Sequence, residues 1–221
     1  APLRKLEAAS RVADGGPELR ALLIRLVEAG GALEKTNSGV GLLSSAQRHL
    51  LRRLGVQVGA IDLFVPAMLK PKPLAAWRTL EVVRGRAMGH PHPVMPPVLT
   101  LAGRSTPPPG YRALGKQALR LDMAEKLLRA AHGARNAGAG KPFVLDPALA
   151  VSMGLGTQAY AHLLRLAGFQ PIMPRPLPLG ASGPIQPPRW RWRPTRREAT
   201  PSNSKVVPSG NAFAALAGLV S

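Results

Sequence analysis

Apolar residues recur at intervals of three and four along much of the chain, and this spacing is typical of amphipathic helices. The clearest stripe predicts a helix from Pro17 to Ala29, which Gly30-Gly31 ends. Another helix is predicted to follow Ser44, which forms a capping-box pattern with Gln47, and to end at Leu54. Further helical stripes cover residues 3–12, 73–86, 122–131, 147–153 and 157–167.

Short apolar runs on both sides of turn residues predict two β-hairpins. The paired runs are 56–58 with 61–65 around Gly59-Ala60, and 111–114 with 118–121 around Gly115-Lys116. After the second hairpin, Asp122 is predicted to cap a helix, with Glu125 completing a capping box. Residues 133–140 are small and predict a linker beyond that helix.

These elements predict an α+β fold that is mostly α. A helical globular region with small β-hairpins, residues 1–180, would be followed by an extended Pro/Arg-rich arm, residues 181–221, with a short terminal helix. The frequent prolines of residues 90–109, and of the chain after Phe169, predict loop and extended structure. Inspection of the chain gives no internal repeat.

The balance of charged residues indicates the class of partner. The 221 residues include 30 Lys+Arg and 11 Asp+Glu, a formal charge of +19, so a polyanion such as nucleic acid is the expected partner. The chain has no cysteine, which excludes disulfides, thiolate zinc sites and cysteine nucleophiles and fits a reducing, cytoplasmic location. No run of about 18 apolar residues occurs, so we expect no membrane partner.

One segment, from Pro188 to Arg197, interleaves arginines with two tryptophans. Guanidinium groups pair with phosphates and exposed indoles stack on unpaired bases, so this pattern predicts binding of a single strand. The alternative is a solvated, disordered basic tail. The candidate contacts are Arg189, Trp190, Arg191, Trp192, Arg193, Arg196 and Arg197.

Two predicted helices add further cationic candidates. Arg48, Arg52 and Arg53 lie on the polar side of the helix that ends at Leu54, and they are the next expected phosphate contacts. Residues 147–167 have the spacing of a helix-turn-helix, although an ordinary helical hairpin has the same spacing. In that arrangement the outer face of the second helix would carry Gln158, Ala159, His162 and Arg165, of which His162 and Arg165 are candidate phosphate contacts.

The sequence predicts no catalytic residue and no metal site. Residues 110–117 come close to a phosphate-binding loop, but Gln117 replaces the Ser or Thr that would hold magnesium. A plain hairpin is therefore predicted there. His90 and His92 could present two imidazoles, but no third ligand stands at a suitable spacing.

Nine segments spread over nearly the whole chain carry a family resemblance. They are 26–33, 54–59, 63–71, 110–115, 119–123, 143–150, 164–169, 190–194 and 211–216. In this order they resemble the C-terminal region of bacterial DEAD/DEAH-type superfamily 2 helicases related to the RNA helicase of the mitochondrial degradosome. The resemblance implies a non-catalytic RNA-binding accessory region of an ATP-dependent RNA helicase.

The resemblance also sets expectations for cofactors and partners. It places ATP and magnesium on two RecA-like motor domains, whose motifs do not occur in this chain, so no cofactor is expected here. The implied partners are RNA, single-stranded in the first instance, and the helicase motor domains in cis. The alternative is a protein-interaction module that docks on the motor, or on an RNA-degradation or ribosomal partner, through Phe213, Leu216 and Leu219.

Overall fold

The structure is a computed structural model that describes residues 2–11, 15–85, 95–103, 106–174 and 187–193. Within these residues helices predominate and the strands form three small antiparallel sheets, which confirms the predicted α+β, mostly helical class. The helices are α1 (Pro2–Arg11), α2 (Gly16–Glu28), α3 (Lys35–Ser38), α4 (Ser45–Arg53), α5 (Pro71–Val83), α6 (Leu121–Ala137), α7 (Ala148–Ser152) and α8 (Thr157–Leu166). The strands are β1 (Ala32–Glu34), β2 (Gln57–Val58), β3 (Asp62–Phe64), β4 (Val98–Thr100), β5 (Tyr111–Leu114), β6 (Gln117–Arg120), β7 (Phe143–Val144), β8 (Phe169–Ile172) and β9 (Arg189–Trp192).

The start of α4 follows directly from local sequence. The Gln47 backbone N–H donates to Ser44 Oγ at 3.2 Å, and the Ser44 N–H donates to Gln47 Oε1 at 2.7 Å. The predicted capping box is therefore confirmed, and it satisfies two N–H groups that a helix start would otherwise leave unpaired.

The predicted capping box at the start of α6 is wrong, because the helix begins at Leu121, before Asp122, and both carboxylates bind other groups. Asp122 accepts hydrogen bonds from the Arg120 guanidinium at 2.7 and 3.0 Å. Glu125 Oε2 instead accepts the backbone N–H of Ala60, a residue far away in the chain, at 2.8 Å. The helix also continues to Ala137 through the predicted linker, since one exposed glycine, Gly133, costs only about 1 kcal/mol relative to alanine.

Two parts of the chain share one connectivity: helix, strand, short helix, longer helix and two further strands. We call residues 16–65 the N-terminal module and residues 121–174 with 187–193 the C-terminal module. The first contains α2-β1-α3-α4-β2-β3, with one further 3₁₀ turn, Val40–Leu42, between α3 and α4, and the second contains α6-β7-α7-α8-β8-β9. In both sheets the last strand lies in the centre, in the orders β1-β3-β2 and β7-β9-β8.

The pairing register matches as well. Leu63 in the central strand of the N-terminal module pairs with Leu33 on one side and Val58 on the other. The corresponding residue of the C-terminal module, Trp190, pairs with Phe143 and Pro171. Both central residues are buried, so each sheet contributes to its own module's core in the same way.

The two modules are related in sequence, so the prediction of no internal repeat is wrong. Residues 46–57 and 159–170 align without gaps and agree at seven of twelve positions. The identical pairs are Ala46/Ala159, His49/His162, Leu50/Leu163, Leu51/Leu164, Arg52/Arg165, Gly55/Gly168 and Gln57/Gln170. The number of residues between β2 and β3 (residues 59–61) is much smaller than the number between β8 and β9 (residues 173–188), which hides the relation outside this segment.

Residues 66–120 lie between the modules and contribute α5 and the sheet β4-β6-β5. The β5–β6 hairpin is the one predicted for residues 111–121. Arg112 on β5 binds Asp62 on β3 through two charge-assisted hydrogen bonds, one of them 2.9 Å long. Burial opposes the charged form of Arg112, but its bonds to Asp62 outweigh this and raise its pKa above the ordinary value.

The short hairpin of the N-terminal module packs against α6 of the C-terminal module. A Cβ atom at Gly59 would lie 2.5 Å from Glu125 Oε2 and 2.9 Å from the backbone oxygen of Asp62, so only glycine fits there. Together with the bond from Ala60 to Glu125, this contact joins the two copies directly.

The predicted arm differs from the structure where β9 lies. Residues 189–192 form the central strand of the third sheet and therefore belong to the C-terminal module. Phe169–Ile172, predicted as irregular, forms β8; Pro171 is tolerated because β8 is an edge strand. Val98–Thr100 likewise forms β4 within a predicted loop. Residues 194–221, with the predicted terminal helix, lie outside the described residues.

Candidate nucleic-acid interface

Strand β9 separates the arginines of the Arg/Trp segment from its tryptophans. Successive side chains of a strand point to opposite faces of the sheet. Trp190 is 6% exposed, whereas Arg189 and Arg191 are exposed on the opposite face. Arg193 continues this alternation, is exposed, and its backbone N–H donates to Gly168 O at 2.9 Å. The alternation is therefore that of a half-buried strand.

Trp190 is a core residue, so the prediction that its indole is exposed for base stacking is wrong. It belongs to the hydrophobic core of the C-terminal module, together with Phe169 and Leu163. The same core contains apolar residues of α6 and α8, among them Leu127 and Leu164. An indole in this place stabilises the fold and is not accessible to an unpaired base.

Trp192 is half-buried and its ring already has partners within the chain. Its Nε1–H donates to Ala167 O at 3.1 Å, and the guanidinium of Arg135 lies 4.2 Å from the ring centroid. The edge of the ring lines an open cavity of about 400 Å³, together with Asn136 and Phe143. The Arg135 guanidinium thus already occupies one face of the Trp192 ring through a cation–π contact. Sequence reasoning did not find this contact, because Arg135 lies 57 residues earlier in the chain.

The exposed face of the third sheet carries a row of positive charge. Across the strands, Arg189 stands beside Val144 and Ile172, and Arg191 stands beside Gln170. Within the described part of the chain, none of Arg189, Arg191 and Arg193 forms an ion pair. We call these three residues the β9 arginine row.

The helix pair predicted over residues 147–167 is present as α7 and α8. Gly154, with φ of +81°, makes the turn between them. Gln158, His162 and Arg165 are exposed on one side of α8, as predicted, but Ala159 is buried in the core and is not on that face. The β8–β9 pair follows this helix pair, and such a connectivity does not by itself define a ligand.

Arg48, Arg52 and Arg53 are exposed on α4 of the N-terminal module. Arg48 donates a hydrogen bond to Gly41 O at 3.2 Å, and the other two lie in the last turn, where the helix dipole favours cations. The predicted contacts are thus divided between the two modules. Arg196, Arg197, Phe213, Leu216 and Leu219 lie outside the described residues, as do His90 and His92.

His49 was not among the predicted contacts, and the repeat is the signal that could have revealed it, because it aligns with His162. Of the residues the structure describes, no group of three or more His, Asp and Glu is placed to hold a metal ion. In the same residues no helix combines the length and apolar character needed to cross a bilayer.

Comparison of the chain with protein-family models, curated proteins and solved structures finds no match. The case for a function therefore depends on the chain's own residues and their placement.

Proposed function

We propose that this chain is a non-catalytic nucleic-acid-binding region that holds RNA by its phosphate backbone. The observation that supports this most is the β9 arginine row, which a sheet fixes on an exposed face with no described carboxylate partner. Guanidinium groups bind phosphate oxygens with paired, charge-assisted hydrogen bonds. The formal charge of +19 draws polyanions to the same chain.

The strand sets the spacing of the row. Residues two apart on a strand are separated by about 6.6 Å, so the three Cα atoms span about 13 Å. Long side chains of this spacing can reach several phosphates of one strand. Such contacts position the backbone without reading bases, so we expect little sequence preference. With Trp190 in the core, base stacking on that residue has no part in the mechanism.

The resemblance to the C-terminal region of RNA helicases supplies the context of the proposal. There the chain follows the motor domains and holds a strand, while ATP and magnesium act on the motor. The role proposed for this region is to keep RNA on the enzyme between cycles of the motor, without chemistry of its own.

A salt titration tests the phosphate mechanism. Binding of fluorescent single-stranded RNA is measured by anisotropy at several salt concentrations for the unaltered chain and for the triple variant R189A/R191A/R193A. Each phosphate contact contributes about 0.7 to the slope of log affinity against log salt on single strands, so the variant's slope should be smaller in magnitude by about 2.

The control variant R4A/K5A/R20A removes three exposed cations from α1 and α2. It lowers net charge by the same amount and should change the slope much less. If both triple variants lowered the magnitude of the slope equally, net charge alone would account for the effect. Absence of any complex at low salt would refute the proposed function.

A second candidate is recognition of a duplex groove by α8, favoured by the exposed row Gln158, His162 and Arg165 after a helix-turn-helix turn. Under this candidate the Q158A/H162A variant loses affinity for one preferred duplex and keeps its affinity for unrelated duplexes. Selection from a random-sequence duplex pool that enriches no motif would eliminate it.

A further inference from the structure

The repeated segment contains two kinds of identical residues, and burial or turn geometry accounts for only one kind. Leu51 and Leu164 are both fully buried. Gly55 and Gly168 have φ of +83° and +88°, and each donates its N–H to the backbone oxygen three residues earlier, at 3.0 and 2.9 Å. Burial and the left-handed turn explain why these leucines and glycines recur.

Burial does not explain the second kind. His49 and Arg52 are exposed on α4, and His162 and Arg165 are exposed on α8. Residues three apart lie on the same side of a helix, so each helix presents one imidazole beside one guanidinium. An exposed position of a helix accepts most residue types, and the recurrence of this pair in both modules points to a shared contact.

The surroundings of both pairs suit an anion. Neither Ser45–Arg53 nor Thr157–Leu166 contains an aspartate or glutamate. On α4, Arg48 and Arg53 flank the pair and add to its positive charge. None of the four paired residues forms an ion pair with another described residue.

We propose that α4 and α8 are equivalent contact helices, so that the chain has two binding sites for a sugar-phosphate backbone, one in each module. In each site the arginine binds a phosphate through its planar fork, and the histidine donates a hydrogen bond to a neighbouring phosphate or ribose oxygen. This inference rests on the proposed function, because it assigns a second site of the same ligand class to the N-terminal module.

Stoichiometry distinguishes one site from two. Calorimetric titration at low ionic strength uses a single-stranded RNA of about six nucleotides, the lower part of the range that one small binding domain covers. The unaltered chain should bind two RNA molecules. The variant H49A/R52A should bind one, with the affinity of the remaining site unchanged, and H162A/R165A should weaken the other site.

Matched controls separate the site from charge and folding. Arg20→Ala removes one exposed cation from α2 of the same module and should leave two RNA molecules bound. Arg52→Lys keeps the charge without the fork and should give an intermediate affinity at the α4 site. An unaltered circular dichroism spectrum and urea midpoint of each variant show that its fold is intact.

The outcomes of the proposed function and of this inference differ. A single RNA bound to the unaltered chain, with no effect of H49A/R52A, overturns the second site and leaves RNA binding by the C-terminal module in place. Absence of RNA binding at every site refutes both.

Discussion

Replacing Trp190 tests most directly whether the tryptophans of the Arg/Trp segment serve the fold or the ligand. The ring is 6% exposed and pairs across the sheet with Phe143 and Pro171. A tryptophan side chain buries about 150–250 Å², and at about 25 cal/mol per Å² this corresponds to roughly 4–6 kcal/mol of transfer free energy. Alanine retains part of that area, so Trp190→Ala should lower the free energy of unfolding by about 3–5 kcal/mol. Such a loss is a large part of the roughly 5–15 kcal/mol that holds a domain folded.

The assay combines urea unfolding with RNA binding. Circular dichroism gives the midpoint and slope of unfolding, and anisotropy gives RNA affinity under conditions in which the variant is folded. We expect a large loss of stability and an unchanged affinity of the folded fraction. Trp192→Ala is the matched comparison: it removes one hydrogen bond and the contact with Arg135, so it should cost only about 1–3 kcal/mol.

One result would refute the reasoning about β9. If Trp190→Ala unfolds at the midpoint of the unaltered chain but binds RNA several-fold more weakly, the indole contacts RNA and the assigned burial is incorrect. The division of the strand into an arginine face and a tryptophan face would then fail as well.

Three further predictions follow from other contacts. Asp62→Asn should cost about 3–5 kcal/mol in urea unfolding, because it leaves Arg112, whose side chain is 16% exposed, with only the more distant carboxylate of Glu34 at 3.5 Å. The double variant D62N/R112M should recover part of the loss, and a purely additive double variant would argue against the pair. Ser44→Ala should lower the free energy of unfolding by about 0.5–2 kcal/mol, because it removes the cap of α4. Ser45→Ala, at the next residue and outside the cap, should change it little. Burial, and next the charge of Arg135, lower the pKa of His132 below 6.5, and Glu125 opposes this with a smaller effect. Because the unfolded chain binds the proton at a higher pH than the folded chain, the free energy of unfolding should fall as pH decreases from about 6.5 through the folded-state pKa. His132→Gln should flatten that pH dependence.

Sequence reasoning succeeded where local signals decide the structure. The apolar stripe of α2 and the Ser44–Gln47 capping box need only neighbouring residues, so both were predicted within one or two positions. The capping box proposed at Asp122–Glu125 has the same sequence form but fails, because the helix already begins at Leu121 and Glu125 binds the distant N–H of Ala60. A local sequence pattern does not contain such a tertiary partner.

The candidate site was predicted in part, for a related reason. The exposure of Arg52 and Arg165 follows from helical spacing and was predicted. The environment of Trp190 depends on its strand partners Phe143 and Pro171, which lie 47 and 19 residues earlier in the chain. A four-residue alternation of Arg and Trp fits both a strand and an arm. The recurrence of His49 at His162 was visible in the sequence, but its meaning depends on both being exposed at the same place in two copies of one topology.

The unequal lengths of chain between the last two strands of the modules have a practical consequence for protein engineering. The loop at residues 59–61 contacts Glu125 and leaves no room even for a methyl group at Gly59. In the C-terminal module, residues 173–188 separate the corresponding strands, so the same strand order is compatible with about a dozen more residues between them. A fluorescent tag or protease site is therefore better inserted between β8 and β9 than between β2 and β3.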